Sequence, residues 1–251
     1  MSSNRSIGGI KFSSIPKDEL LKELTAKIES KNGFIISTPN IDFFSKIEKA
    51  PKLLELVQKT DYVLCDSQPV HILSKIFGKC IPKISGSELI FDVMEICSDL
   101  KIGVAFIGGD TNSEKLIDNI VKKRYSGISQ VYLDSSFLNL MDEYAVKNII
   151  YNLKKSQIKV ILVGYGFPKQ EKMAFEIQSQ IPDSNIFCIG MGIKFFTGEM
   201  KRSPAIISFM GFEWLWRLVL EPKRLFQRYL VLGIPQFLKL GVRELILKIR
   251  N

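Results

Sequence analysis

Lys159-Val-Ile-Leu-Val-Gly-Tyr-Gly-Phe-Pro-Lys-Gln-Glu171 decides how the rest of the chain is read. Its four consecutive apolar residues, Val160 to Val163, suit a strand buried on both faces, as found inside a parallel sheet. Gly164 and Gly166 break the run, and small residues there let backbone N–H groups come close to a ligand. Pro168 fits the first turn of a helix predicted over Lys169–Ser179, with Met173, Phe175, Ile177 and Ile181 among the candidate core residues. Strand, glycine turn and helix start together form a cradle often used for a nucleotide phosphate. The third glycine of the dinucleotide fingerprint is missing, and Pro-Lys-Gln-Glu stands in its place. Two readings of the turn stay open: a phosphate cradle, or a tight turn that closes an α/β unit. The polar cluster Lys169-Gln170-Glu171 marks it as a site to test.

The same alternation continues in both directions. Gly33-Phe-Ile-Ile-Ser37 predicts the first buried strand, ending in Thr38-Pro39-Asn40. Asn40 and Asp42 can cap a helix beginning near Phe43. Alternatively, Thr38 and Asn40 hydrogen-bond a ligand at the strand's carboxyl end. A helix near Leu53–Lys59 precedes Asp61-Tyr-Val-Leu-Cys65, a second strand that runs into Asp66. The crevice of a doubly wound sheet lies outside the carboxyl ends of its strands. Asp66 is therefore a candidate general base, or else a turn and cap residue before a helix starting near Pro69. Pro82-Lys-Ile-Ser-Gly-Ser-Glu88 predicts a polar loop leading into a helix at Leu89–Cys97, with Ser85 or Ser87 as cap. Lys83 in that loop is a solvated charge or a phosphate contact. Lys101–Asp110 repeats strand then glycines before a helix to Lys123, and Ser129–Leu133 and Met141–Lys154 predict another strand and helix. Asn185-Ile-Phe-Cys-Ile-Gly-Met-Gly192 ends a further strand in Gly190 and Gly192. Strand and helix signals in alternation predict an α/β fold, a mostly parallel sheet with helices on both faces.

The chain has 251 residues, 46% hydrophobic and 24% charged, which fits a globular α/β domain and excludes disorder. Its four cysteines are widely spaced with no C-x-x-C pair, pointing to reduced thiols, not a disulfide frame or zinc site. No apolar leader follows Met-Ser-Ser-Asn-Arg-Ser, and no apolar run approaches the ~18–20 residues that span a bilayer. A cytoplasmic protein, neither secreted nor membrane-crossing, is expected. The sole histidine, His71, lies in an apolar helical stretch, which leaves little room for a Ser-His-Asp scheme.

Charge divides the chain. Residues 200–251 carry four Lys and six Arg against three Glu, hence +7 of the total +9. We divide it accordingly into a core, residues 1–200, and a basic helical C-terminal appendage, residues 201–251. Ser203-Pro204, Pro222 and Pro235 predict three helix starts in the appendage. The last of these helices interleaves Leu238, Val242, Leu245, Ile246 and Ile249 with Lys239, Arg243, Lys248 and Arg250. It reads as a cap on the sheet, as a basic amphipathic surface on an anionic membrane, or as both on different faces.

Several motifs in combination resemble the WecG/TagA/CpsF glycosyltransferases, over about residues 33–230. They are Ser-Thr-Pro-Asn40, the Asp66 strand end, Ser-Gly-Ser-Glu-Leu89, Val-Gly-Tyr-Gly-Phe-Pro-Lys-Gln-Glu171, Gly-Met-Gly192 with Lys-Arg-Ser-Pro204, and Gly-Phe-Glu-Trp-Leu-Trp-Arg217 with Glu-Pro-Lys-Arg224. The resemblance implies an inverting enzyme with a Rossmann-like core and no bound metal or other cofactor. Such an enzyme moves an N-acetylmannosamine-type or related hexose from a UDP-sugar to a lipid-diphosphate-linked sugar acceptor. The work belongs to bacterial cell-surface polysaccharide synthesis, such as wall teichoic acid or capsule, at the inner face of the cell membrane. By the same resemblance Asp66 is the base, Thr38, Asn40 and Gln170 contact sugar or acceptor, and Arg217 and Arg224 come from the appendage. Lys83, Gly164, Gly166, Lys169, Gly190 and Gly192 complete the candidate binding set. The chain departs from the family pattern with Ser67 after Asp66, Lys83 where an Arg is usual, Glu88 for Asp and Gln227 for Arg. The stretch from Gly192 to Gly198 is shortened and lacks an expected Asp. Lys83 keeps the charge but loses the bidentate fork.

Inverting transfer needs one carboxylate to take the acceptor hydroxyl's proton. It also needs positive charge or fixed donors for the leaving diphosphate. The chain contains no Asp-x-Asp, so glycine-loop N–H groups, Arg217 and Arg224 are the expected donors. Three other classes fit the sequence less well. An oxidoreductase of Rossmann type would want G-x-G-x-x-G. A nucleic-acid binder would spread its charge through a polar groove instead of along aliphatic helices. A non-catalytic nucleotide-binding membrane-surface protein would leave Asp66 and Gln170 without a role. The oligomeric state stays open.

Overall fold

Six short apolar runs pair into one sheet, every strand parallel to its neighbours. The structure, a computed structural model, describes residues 4–109, 111–129, 131–134, 143–200, 216, 218, 219, 222, 226 and 231–250. The chain begins with β1 (Asn4–Ile7), β2 (Ile10–Ser13) and α1 (Lys17–Glu29), then β3 (Phe34–Ser37), α2 (Ile41–Lys49) and α3 (Lys52–Gln58). It continues through β4 (Tyr62–Val63), α4 (Gln68–Ile76), α5 (Gly86–Asp99), β5 (Val104–Ile107), α6 (Thr111–Arg124) and β6 (Val131–Asp134). There follow α7 (Glu143–Ser156), β7 (Val160–Val163), α8 (Lys169–Gln180), β8 (Asn185–Cys188) and α9 (Gly192–Phe196). The last described helix is α10 (Ile234–Arg250). Sheet order is β4-β3-β8-β7-β5-β6.

Strand periodicity explains the two-sided burial. Val160 and Leu162 pack with Phe34, Ile36, Val104, Phe106 and Phe187 against α1, α5, α6 and α9. Ile161 and Val163 pack with Ile35, Ala105, Ile107, Ile186 and Cys188 against α7 and α8. The expected parallel sheet with helices on both faces is thus present, and β7 has the predicted bounds. One strand is shorter than predicted. Of Asp61–Cys65 only Tyr62 and Val63 pair along β3, and Cys65 forms a single bridge with Lys83.

A third apolar cluster lies beside β4. It joins Ile7, Ile10 and Phe12 of the β1–β2 hairpin to Phe43 and Phe44 of α2, Val70 and Leu73 of α4, and Leu240 of α10. α10 buries only Gln236, Leu240 and Glu244. Its opposite face, carrying Leu238, Val242, Leu245, Ile246 and Ile249, is exposed. The helices predicted between Ser203 and Gly233 fall largely outside the described residues. No helix among the described residues is long and apolar enough to cross a membrane.

Candidate active site

The carboxyl ends of β3, β7 and β8 open into a cleft of about 250 Å³. This is where parallel α/β sheets place their chemistry, because each strand end hands its chain to a loop free to carry polar groups. Eight of the sequence candidates line it together: Thr38, Asn40, Asp66, Gly164, Gly166, Gln170, Gly190 and Gly192.

Each is held by a definite local cause. Asn40 is the N-cap of α2, its Oδ1 accepting the Asp42 N–H at 3.0 Å, so the capping role is real. Thr38 is buried and donates from Oγ1 to the Cys188 carbonyl at 2.8 Å, tying β3 to β8. Asp66 donates its N–H to the Pro39 carbonyl at 3.0 Å, which fixes its backbone beside the Thr38–Asn40 loop. The cap of α4 is supplied by Ser67, whose hydroxyl accepts the Val70 N–H. The helix therefore does not use Asp66 as its cap, and the half-buried carboxylate stands at the cleft wall. Cys65, one residue earlier, is buried, and burial pushes its thiol up to about 12, so it packs and does not react.

The glycine turns behave differently from a phosphate cradle. Gly164 N–H donates to Ile107 O at 2.8 Å and Gly192 N–H to Ile189 O at 2.9 Å. Gly166 and Gly190 have left-handed backbones, φ +73° and +54°, that turn their N–H groups inward. Both donate to the same acceptor, Gln170 Oε1, at 3.1 and 3.0 Å. All four amides are engaged within the protein, so these glycines shape the cleft floor without supplying phosphate donors. Gln170 is itself 2% exposed, and its Nε2 donates to Glu171 Oε1 at 3.0 Å. It clasps two loops beneath the cleft.

Two candidate lysines lie elsewhere. Lys169 is exposed and absent from the cleft lining, because neighbouring helix positions point about 100° apart and Gln170 takes the inward one. Lys83 is half-buried, its backbone bridging Cys65 one residue short of Asp66, and it is not among the residues lining the cleft. Arg217 and Arg224 lie outside the described residues.

Sequence reasoning missed the contribution of α2. Asp42, Phe43 and Lys46 all line the cleft. Phe43 stacks on Phe167 with ring centroids 3.9 Å apart and planes 15° apart. Lys46 donates to the Phe167 carbonyl at 2.8 Å and lies 4.0 Å from Asp42. Among the described residues Lys46 is the only cationic side chain lining the cleft. The available signal was the cap: a helix capped by Asn40 beside the strand end must aim its first turns at that same crevice. Glu171, marked in the sequence only as part of the polar cluster after the glycine turn, takes a buried place. It is fully buried under the cleft, accepting from Ser37 Oγ at 2.9 Å as well as from Gln170.

A parallel sheet of this order, with a carboxylate-bearing polar cleft at its strand ends, defines an α/β protein of the Rossmann-like enzyme class. Residues 5–251 match the glycosyl transferase WecG/TagA/CpsF family. The chain belongs to that family and is a glycosyltransferase. It is 27% identical over 201 residues to N-acetylglucosaminyldiphosphoundecaprenol N-acetyl-beta-D-mannosaminyltransferase of Staphylococcus aureus strain NCTC 8325 / PS 47, covering 78% of this chain and 76% of the relative. The proteins of the same name from strains COL and MRSA252 match with the same identity and coverage.

Proposed function

We propose that this glycosyltransferase moves an N-acetylmannosamine-type or related hexose from a UDP-sugar to a polyprenyl-diphosphate-linked N-acetylglucosamine, with inversion, in bacterial cell-surface polysaccharide synthesis. The observation that carries the reading is the convergence of Asp66, Thr38 and Asn40 on one cleft beside the clasped glycine loops, in a chain of this family. The lipid-diphosphate sugar acceptor is the one in the names of the S. aureus relatives. In this scheme Asp66 takes the acceptor hydroxyl's proton while that oxygen attacks the anomeric carbon. The leaving diphosphate gains negative charge, and protein cations neutralise it: Lys46 from the core, Arg217 and Arg224 from the appendage. Lys83 and Lys169, which do not line the cleft, are given no role in this scheme. The decisive test measures UDP release from a panel of UDP-sugars with a short-chain lipid-diphosphate N-acetylglucosamine acceptor. Acceptor-dependent release from one donor supports the proposal, and release from none refutes it. A chelator should leave the rate unchanged.

Lys46 provides a sharper test of the charge scheme. A charge-assisted hydrogen bond to phosphate contributes about 1.5–3 kcal/mol, and tenfold in affinity corresponds to ~1.4 kcal/mol. Lys46→Met is therefore expected to raise the KM for one diphosphate substrate about tenfold, with Lys46→Arg nearer to wild type. An unchanged KM for both substrates removes Lys46 from the scheme.

We also infer a peripheral seat on the cytoplasmic membrane surface through the outward face of α10. Val242 is 58% and Ile249 76% exposed, with Lys239, Arg243 and Arg250 alongside. Replacing Leu238, Val242 and Ile246 together by Ser should abolish co-sedimentation with anionic vesicles while leaving the fold intact, since none of the three is buried. Full retention on the vesicles would place the membrane contact elsewhere.

A further inference from the structure

We propose that Glu171 is a positioning residue for sugar transfer, orienting the Gln170 carboxamide so that one oxygen clasps the Gly166 and Gly190 loops in register beneath the substrate. The inference rests on the proposed glycosyltransferase reading of this cleft.

A glutamine side chain has one acceptor end and one donor end, and nothing intrinsic selects which way it faces. Here two backbone N–H groups, from Gly166 and Gly190, converge on Oε1. A flipped carboxamide would set its own N–H pair against both of them. The flip is opposed from the far side, where Glu171 Oε1 accepts the Nε2 hydrogen at 3.0 Å. The same oxygen accepts Ser37 Oγ at 2.9 Å, so the carboxyl group is itself oriented by β3. Ser37, Glu171 and Gln170 thus connect the carboxyl ends of β3, β7 and β8, the three strands whose loops form the cleft. Such a network rigidifies a site when its members are satisfied.

What the clasp takes from Glu171 is an acceptor oxygen, Oε1, which receives both the Gln170 and the Ser37 hydrogen bonds. Glu171 is 0% exposed, and Oε2 has no hydrogen-bond partner among the described residues. Burial holds its carboxyl above the usual carboxylate range, opposed by the hydrogen bonds from Gln170 and Ser37 and, more weakly, by Lys46 on α2. Cys188 on β8 faces it, and burial raises that thiol too, keeping it neutral. A neutral carbonyl oxygen in the Oε1 position suffices for both hydrogen bonds, so the amide isostere should serve.

The test compares Glu171→Gln and Glu171→Leu in the full chain by two readouts. The first is hydrogen exchange of the Gly166 and Gly190 amides, which reports the clasp whether or not the cleft performs transfer. The second is the transfer rate with donor and lipid-linked acceptor. Glu171→Gln should keep both amides protected and kcat/KM within fivefold of wild type. Glu171→Leu should expose both amides and lower kcat/KM at least thirtyfold, and the same loss should appear in Gln170→Leu and grow no further in the double variant. Retained protection in Glu171→Leu, or losses that multiply in the double variant, overturns the proposal. So does a Glu171→Gln variant as damaged as Glu171→Leu. Should Glu171→Leu fail to fold, Glu171→Gln decides alone on the same fivefold limit. Amides released while transfer proceeds at the wild-type rate would instead sink the assignment of the cleft as the transfer site.

Discussion

Asp66→Asn is expected to lower kcat for sugar transfer by about 10²–10⁴-fold, the usual contribution of a positioned general base. Donor KM and melting temperature should stay near wild type. The substitution removes only the ability to hold a proton, because Asn keeps the size of Asp and the backbone bond from residue 66 to Pro39 O is untouched. Helix α4 does not depend on this side chain, since Ser67 caps it. The cleft offers a second carboxylate, Asp42, and the comparison between the two is what makes the experiment decisive. Asp42 sits in the first turn of α2, where a negative charge suits the helix dipole, and it lies 4.0 Å from the Lys46 ammonium. Those roles are structural and electrostatic, so Asp42→Asn should cost severalfold at most. If Asp66→Asn retains more than a tenth of wild-type kcat while Asp42→Asn collapses, the proton acceptor is Asp42 and the assignment of Asp66 fails.

How much of this was legible in the sequence depends on what kind of signal each feature leaves. Val160–Val163 is buried on both faces and therefore apolar at every position, so its bounds could be read from the run alone. Asp66, Thr38 and Asn40 could be placed because strand ends in such sheets face one crevice. Tyr62–Val63 was overextended because Leu64 and Cys65 are as apolar as strand residues, yet the chain there turns toward the Lys83 bridge. The β1–β2 hairpin went unread, although Gly8-Gly9 between the alternating residues Ile7, Ile10 and Phe12 carries its signature. The roles of Gln170 and Glu171 were not legible. A polar pair at a helix start looks like a ligand contact, and only tertiary packing shows that one side chain is spent on two backbone amides and the other on β3. For the same reason the glycine turns suggested phosphate donors. Composition marks where an N–H can approach, and not whether a side chain has already taken it.

Glu244→Ala is expected to destabilise the protein by about 3 kcal/mol, at the lower end of what removing one partner of a buried ion pair costs. Glu244 is 2% exposed, on the inward face of α10. Its Oε1 accepts the Gly8 N–H at 2.9 Å, and its Oε2 pairs with the Lys79 ammonium, which also donates to Ser6 O at 2.6 Å. One carboxylate therefore joins the C-terminal helix, the hairpin turn and the segment after α4. Alanine would leave the Gly8 amide without its acceptor and the Lys79 ammonium with Ser6 O but no counter-charge, in a partly buried place, and neighbours could not easily close in. Leu240 already fills the space beside Gly8, so closely that a Cβ there would lie 2.4 Å from its Cδ2. The surrounding pairs cannot compensate: Lys239 with Glu48 is exposed on both sides and contributes little. For a chain of this size the loss should lower Tm by about 6–12 °C. Amide exchange should accelerate first in α10 and in residues 4–13, ahead of the sheet. Glu244→Gln keeps an acceptor for Gly8 and should lose less. A Tm within about 2 °C of wild type for Glu244→Ala would show that α10 is held by Leu240 and its apolar neighbours alone.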